Sequence, residues 1–379
     1  MSDYLANSSS KSEYAGTKVL ISTLSGHDKG EGRFYRKVLE RLGCEVWYIS
    51  TPSAGGDKDN GVYAEPGFVM GTTVHEILEL FNGVPDLFLY IEPFGLIPRG
   101  IEEAPFPTAC ILCDTHRDLA VRLKLARFFD HVFLCHRNYV QYFSEHPGDY
   151  VHWQPYACDL ELFRPSGIER DLDVAFIGML NTDPARANIL SFLTERYKVN
   201  EQRYYLQKEI PNVYSRAKIV LNLPLGDDLN FRTFEAMSCS AMLLTRRVLN
   251  GQEVLFQEGK QFEAFSDEKE LFDKIEYYLS HPEERKSIAK AGYTEVVKKH
   301  GLDLRLKAIL EEIEKKPDKV APVRNMNKGE LDRQYAWLYE YWRSTEAGVE
   351  LVSEARKEGR PWLPLIVPAA RSFLKKAFR

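Results

Sequence analysis

A chain of 379 residues is long enough for two domains with sizeable cores. Its formal net charge of -5 argues against nucleic-acid binding through a global basic surface, and its apolar content of 44% is ordinary for a globular protein. No apolar run approaches the roughly 20 residues of a membrane span. The first sixteen residues are polar and lack the apolar core of a secretory signal, and the six cysteines follow no regular spacing. Reduced, buried thiols in a cytoplasmic protein are therefore expected.

After a head at 1–16 that is expected to be disordered, KVLIS at 18–22 has the look of a buried strand. The loop at 23–32 leads into a helix over 33–42, Gly43 ends it, and EVWYIS at 45–50 makes the next strand of a first βαβ unit. The loop holds Gly26, His27, Gly30 and Gly32, but not in GxGxxG spacing, which disfavours a dinucleotide oxidoreductase. A Gly-, Asp- and Asn-rich segment at 51–64 is predicted to loop out. A helix over 73–81 and strands over 87–91 and 107–113 follow.

The last of these strands ends in Asp114-Thr115-His116, a polar triplet at a strand's carboxyl end and hence a site candidate. Cys110 and Cys113 have CxxC spacing, but an odd separation along a strand points the two thiols to opposite faces, and no second CxxC exists. They are read as core residues, with no metal site.

A helix over 119–129, a strand over 131–135 and a helix over 138–144 come next. Pro155, Pro165 and Gly167 then mark 151–165 as an interdomain connection. A strand at 172–177, ending at Gly178, restarts the alternation, so the chain has two similar halves. Helices over 186–196 and 210–216 lead into KIVLNLPLGDDLNFRTFEAMSCSAMLLT at 218–245, which reads as strand, polar loop, short helix and strand. In open α/β sheets ligands sit outside the carboxyl ends of the strands, where loops lead into helix N-termini. Glu235 falls about one turn into this helix, facing the same crevice.

Beyond it the pattern gives a short strand at 263–265 and helices over 268–279, 282–300 and 303–314, after which Pro317 and Pro322 interrupt. An aromatic-rich helix over 331–343 has two readings: packing back over the domains, or a homodimer contact. The tail at 369–379 carries Arg371, Lys375, Lys376 and Arg379 and no acid, a pattern able to lie peripherally on an anionic membrane surface.

Several segments carry a family likeness: FDHVFLCHRNYVQYF at 129–143, VHWQPYACDLELFRP at 151–165, DVAFIGML at 173–180, LNFRTFEAMSCSAMLLT at 229–245 and the helical run at 266–300. Together they resemble glycosyltransferases of the GT-B fold, and are most similar to the spore-maturation CgeB-like proteins, relatives of the large retaining family 4. The likeness spans 129–310 well and the first 128 residues weakly. It implies an α/β protein of GT-B fold, with two Rossmann-like domains facing across a cleft. An acceptor domain at 17–155, a nucleotide-sugar donor domain at 156–318 and a helical C-terminal extension at 319–379 are expected.

The resemblance also implies hexosyl transfer from a UDP- or GDP-sugar to a glycan, a surface-polymer precursor or a protein, with retention of configuration. No permanently bound cofactor and no nucleic-acid partner are implied. Family 4 enzymes carry two acids eight positions apart, the second holding the ribose hydroxyls. Glu235 takes that second place and Asp227 the first, as Asp where the family keeps Glu, with Asp228 or Asn230 sharing its role. The family's strand-end histidine corresponds to His116, with His27 as a second choice.

Glycosyl transfer demands that negative charge on the departing diphosphate be stabilised by prepositioned cations and N–H donors. Arg232, at the helix start, is the expected cation, unless it forms a surface pair with Asp227 or Asp228. Arg186 is a second phosphate ligand and Lys208 a weaker one. An ionised Glu235 accepts from two vicinal hydroxyls. Asn222, Asp228, Asn230, Thr233 and Gly178 complete the expected donor pocket, and His116, Arg232 and Asp227 the catalytic set. Asp171-Leu172-Asp173 has the letters of a DxD metal motif but precedes its strand, at the wrong edge of the sheet, so transfer is expected to be metal-independent. Two alternatives stay open: a nucleotide-sugar epimerase of the same fold, and a noncatalytic sugar- or nucleotide-binding component of a surface assembly.

Overall fold

The structure, a computed structural model, describes residues 13–23, 32–49, 68–92, 95–180 and 183–377. Residues 1–12 of the head, the loop at 24–31 with His27, and the segment at 51–64 lie outside the described residues. Tyr14, inside the span read as a disordered head, is buried. The chain divides into two compact units, the first formed by residues up to 134 with 139–153 and 310–379, the second by 135–138 and 154–309.

In the first unit β1 (Lys18–Ser22), α1 (Gly32–Arg41), β2 (Glu45–Ile49), α2 (Val74–Phe81), β3 (Leu87–Ile91), β4 (Thr108–Leu112), α3 (Leu119–Ala126), β5 (His131–Leu134) and β6 (Val151–Trp153) follow in order. The sheet order is β2-β1-β3-β4-β5-β6, parallel throughout. LFLYI and TACIL are buried at every position, as a parallel sheet covered on both faces requires. Thr73 and Glu76 start α2 with a capping box: Glu76 N donates to Thr73 Oγ1 at 3.2 Å and Thr73 N to Glu76 Oε2 at 2.7 Å. Two local expectations change. Val151–Trp153, read as connector, pairs with β5 as the sixth strand, and the helix read at 138–144 is a 3-10 segment over Arg137–Tyr142.

The second unit contains β7 (Leu172–Ala175), α4 (Pro184–Arg196), α5 (Ile210–Arg216), β8 (Ala217–Asn222), α6 (Phe231–Ser238), β9 (Met242–Arg246), α7 (Gln252–Leu255), β10 (Glu263–Phe265), α8 (Glu268–Ser280) and α9 (Pro282–Lys299). It is followed by α10 (Leu302–Lys315), whose residues belong partly to each unit. Its sheet order is β10-β9-β8-β7, again parallel, and a parallel bridge from Val174 to Val199 continues it on the far side of β7. The chain thus steps outward from β7 to Val199 and then back across to β8. That reversal makes the carboxyl edge between β7 and β8 a topological switch point, where two successive loops diverge and leave a crevice. Ile219, Leu221, Met242 and Leu244 meet Leu190 and Leu193 of α4 and Leu271 and Ile275 of α8 in the core beneath it. Arg170 binds the ends of two helices, donating to Tyr214 O at 3.2 Å and to Cys239 O at 3.0 Å.

The C-terminal helices α11 (Lys328–Tyr341), α12 (Thr345–Lys357) and α13 (Leu363–Ala377) pack into the core of the first unit. Tyr335, Leu338, Tyr339, Leu351 and Leu365 share that core with Phe88, Tyr90, Phe128 and Phe129. Tyr335 and Tyr339 of α11 are therefore packed within the unit, while Trp337 and Tyr341 are partly buried against the same core. A buried ion pair fixes the segment: Arg324 Nε and Nη2 lie 2.9 and 3.0 Å from the two oxygens of Asp130, which also accepts from Thr108 N and Ala321 N, both at 2.9 Å. All six cysteines are buried thiols outside any disulfide, Cys110 and Cys113 among them.

Candidate functional site

β8 ends at Asn222, and the loop to Asn230 runs along the crevice between β7 and β8. Asn230 has the extended backbone of an N-cap (φ -86, ψ 173), yet its side chain does not cap α6. It pairs back to the strand end instead: Asn222 Nδ2 donates to Asn230 Oδ1 at 3.1 Å and Asn230 Nδ2 to Asn222 Oδ1 at 3.2 Å. Thr233, buried one turn on, accepts from Asn222 Nδ2 at 3.3 Å. This exchange fixes the loop's two ends against each other.

Arg232 completes the network. Its Nη1 donates to Asn222 Oδ1 at 2.8 Å, its Nη2 donates to the carbonyl of Ile177 beyond β7, and its guanidinium carbon lies 5.2 Å from the Phe176 ring centre. Among the described residues no carboxylate pairs with it, so the alternative of a surface pair with Asp227 or Asp228 does not occur. Gly178 makes the approach possible. A β-carbon there would fall 2.8 Å from Phe176 Cζ and 3.0 Å from Arg232 Nη2. Arg186 works from α4 on the same two loops, donating to Met179 O at 3.1 Å and to the carbonyl of Leu223. Burial and the charge of Arg232 push its guanidinium down to about 10. Two guanidinium groups around one phenyl ring, bound to neutral groups, give this corner a concentrated positive potential.

Glu235 is buried one turn into α6. Burial pushes its carboxyl up to about 7, with the charge of Arg232 acting in the opposite direction. The two acids of the loop before α6 have different partners. Asp227 Oδ1 accepts the backbone N–H of Leu249 and its carbonyl accepts from Asn250 Nδ2 at 3.0 Å. Asp228 Oδ1 lies 3.1 Å from Nε2 of His136, a fully buried residue that the sequence reading passed over. The one available signal was its position just past a buried strand, in FLCHRN. Asp171 and Asp173, at the amino edge of β7, are occupied by cations: Arg216 donates to both oxygens of Asp171 at 2.7 Å, and Lys218 lies 2.6 Å from Asp173.

The structure therefore brings Asn222, Asn230, Arg232, Thr233, Gly178 and Arg186 together at one strand edge, with Glu235 on the adjoining helix. His116 belongs to the first unit, following the carboxyl end of β4. There Glu92, past the end of β3, accepts from Cys113 N at 2.8 Å and pairs with Arg122 at 2.5 Å. Lys208 precedes α5 in the 3-10 turn Gln207–Glu209.

Residues 171–311, which hold Gly178, Arg186, Asn222, Asn230, Arg232, Thr233 and Glu235, match a family model described as glycosyl transferase-like. No curated protein matches the chain. Among solved structures it is similar to sucrose-phosphate synthase of Thermosynechococcus elongatus (13% identity, 79% of this chain and 99% of that one, TM-score 0.55). It is also similar to a glycosyltransferase from Rickettsia africae (13% identity, 79% and 99%, TM-score 0.55). A third similar structure is Anabaena Alr3699/HepE in complex with UDP-glucose (12% identity, 79% and 99%, TM-score 0.55). No described helix is long and apolar enough to cross a membrane. The two parallel sheets and these likenesses together give the fold as GT-B.

Proposed function

We propose that the protein is a glycosyltransferase that takes a hexosyl group from a nucleotide-diphosphate sugar. The observation that carries this reading is the convergence of Arg186 and Arg232 on the β7/β8 switch point, with Glu235 buried on the same helix as Arg232, inside the span that matches the glycosyl transferase-like family. A guanidinium has five N–H donors, so Arg232 keeps capacity for a diphosphate beyond its bonds to Asn222 and Ile177. Charge that builds on the departing diphosphate meets donors already in place, which is the main demand of the reaction. Asn222, Asn230 and Thr233 hold Arg232, Gly178 allows the backbone and any ligand to come close, and Glu235 accepts from the ribose hydroxyls. His116 keeps its expected role in the acceptor unit.

Finer parts of the reading rest on the CgeB-like and family 4 resemblance: a UDP- or GDP-sugar, retention of configuration, and a glycan, surface-polymer precursor or protein as acceptor. UDP-glucose bound to the Anabaena structure supports a uridine donor. Metal independence is supported by the cation pairing of Asp171 and Asp173. Peripheral contact of α13 with an anionic membrane face is supported by Leu363 and Val367, 65% and 52% exposed on a helix whose sequence also carries Arg371, Lys375 and Lys376.

The test is a panel of UDP-, GDP-, ADP- and dTDP-sugars, read by thermal shift and by released nucleotide, with and without EDTA. At least one donor should stabilise the protein and lose its nucleotide, undiminished by EDTA. No response to any donor contradicts the reading. Isomerised nucleotide sugar without release points to the epimerase, and strict manganese dependence overturns the metal-free mechanism.

A further inference from the structure

We infer that Asp228, rather than Asp227, is the carboxylate presented to the donor sugar, and that His136 is its positioning residue. This rests on the nucleotide-sugar reading above. Spacing from Glu235 singles out Asp227, but both its side chain and its backbone are tied to the loop after β9: one carboxylate oxygen accepts the backbone N–H of Leu249. Its carbonyl is held by Asn250, which is itself buried and accepts from Asn138 N at 3.0 Å, while Asn138 Nδ2 donates to Leu249 O at 3.2 Å. Asp227 thus acts as a structural tie between the loop after β8 and the loop after β9.

Asp228 is differently placed. One oxygen lies 3.1 Å from His136 Nε2, while its side chain keeps 17% exposure and His136 has none. A carboxylate offers about four acceptor positions, so a single bond to a histidine leaves most of them for sugar hydroxyls. His136 is fixed in turn. Its ring stands edge-on to Tyr156 at 6.0 Å, and Tyr156 packs 4.2 Å from the ring of Phe231, the first residue of α6. The same helix carries Arg232 and Glu235, so one aromatic wedge sets Asp228 in register with the cation and the ribose acid. Prepositioning of this kind lowers the barrier by removing the search for a reactive geometry, and its loss appears in turnover more than in binding.

The variants to compare are His136→Leu, His136→Gln, His136→Asn, Asp228→Asn, Asp227→Asn and the double variant His136→Leu/Asp228→Asn. For each, calorimetry gives the affinity for the free nucleoside diphosphate (UDP or GDP), and released nucleotide gives kcat and KM with the best donor of the panel. His136→Leu and Asp228→Asn should each lower kcat at least tenfold while nucleotide affinity stays within about twofold, and the double variant should be no worse than Asp228→Asn alone. His136→Gln, whose amide reaches the position of Nε2, should keep most of the turnover. His136→Asn, one carbon shorter, should not. Asp227→Asn, whose amide oxygen still accepts from Leu249 N, should keep thermal stability and cost less turnover than Asp228→Asn.

A wild-type kcat in His136→Leu, or additive losses in the double variant, overturns the positioning role while the functional reading stands. If His136→Leu fails to fold, equal turnover in the Gln and Asn variants overturns it instead. A wild-type protein that turns over no donor overturns both.

Discussion

Glu235 has a carboxyl that titrates near neutrality because burial outweighs the opposing charge of Arg232. In the proposed role the ionised form is the stronger acceptor for ribose hydroxyls, so donor affinity should rise with pH through 7, by up to about tenfold between pH 6 and pH 8. Calorimetry across that range checks this, and Glu235→Gln should bind more weakly and lose the pH dependence. The same shift acts on folding. The folded state holds this proton up to about pH 7 and the unfolded state only to about 4.5, so the charge destabilises the fold increasingly between those values and constantly above them. Glu235→Gln should therefore be more stable than wild type at pH 8, by up to ~3 kcal/mol, and equal to it at pH 4. Gly178→Ala should weaken donor binding at least tenfold, because its methyl group displaces Phe176 or Arg232. At this scale the sequence reading was uneven. Arg232 and Glu235 stood out because a charge and an acid interrupt an otherwise apolar helix. The commitment of Asp227 to Leu249 and the pairing of Asp228 with His136 join residues 22 and 92 positions apart, which no local pattern encodes.

The strand, loop and helix from β8 to α6 were legible because each part has its own local cause: a β-branched run, a turn containing Gly226, and helical spacing of apolar residues. β6 and α12 were not. β6 is three residues long with a histidine at its centre, and it is a strand because β5 offers it an edge to pair with. α12 has only a narrow buried face at Ala347, Gly348, Leu351 and Ala355, visible once its neighbours are known. For α13, exposed Leu363 and Val367 lead to an element-level prediction. The protein should sediment with vesicles rich in phosphatidylglycerol and less so as salt rises, and Val367→Asp should reduce sedimentation severalfold. Equal recovery with neutral vesicles, or no effect of the substitution, contradicts that contact.

The two halves were read correctly as α/β layers, since alternating apolar runs and amphipathic stretches define a class of architecture. The destination of the C-terminal 70 residues was not legible, because their return to the first unit depends on Asp130 and Arg324, far apart in sequence and joined at 2.9 Å. Asp130→Ala leaves Arg324 buried without its counterion and should cost about 3–5 kcal/mol in denaturant unfolding. Since α11 shares one core with β3 and β4, its amides should exchange with solvent at the same rate as theirs rather than as a separate faster class. The central claim is donor binding at the carboxyl edge between β7 and β8, and calorimetric titration of UDP- and GDP-sugars into wild type, Arg232→Ala and Glu235→Gln tests it most directly. The wild type should bind one donor saturably and each variant at least tenfold more weakly. Absence of binding by the wild type, or equal affinity in all three proteins, contradicts it.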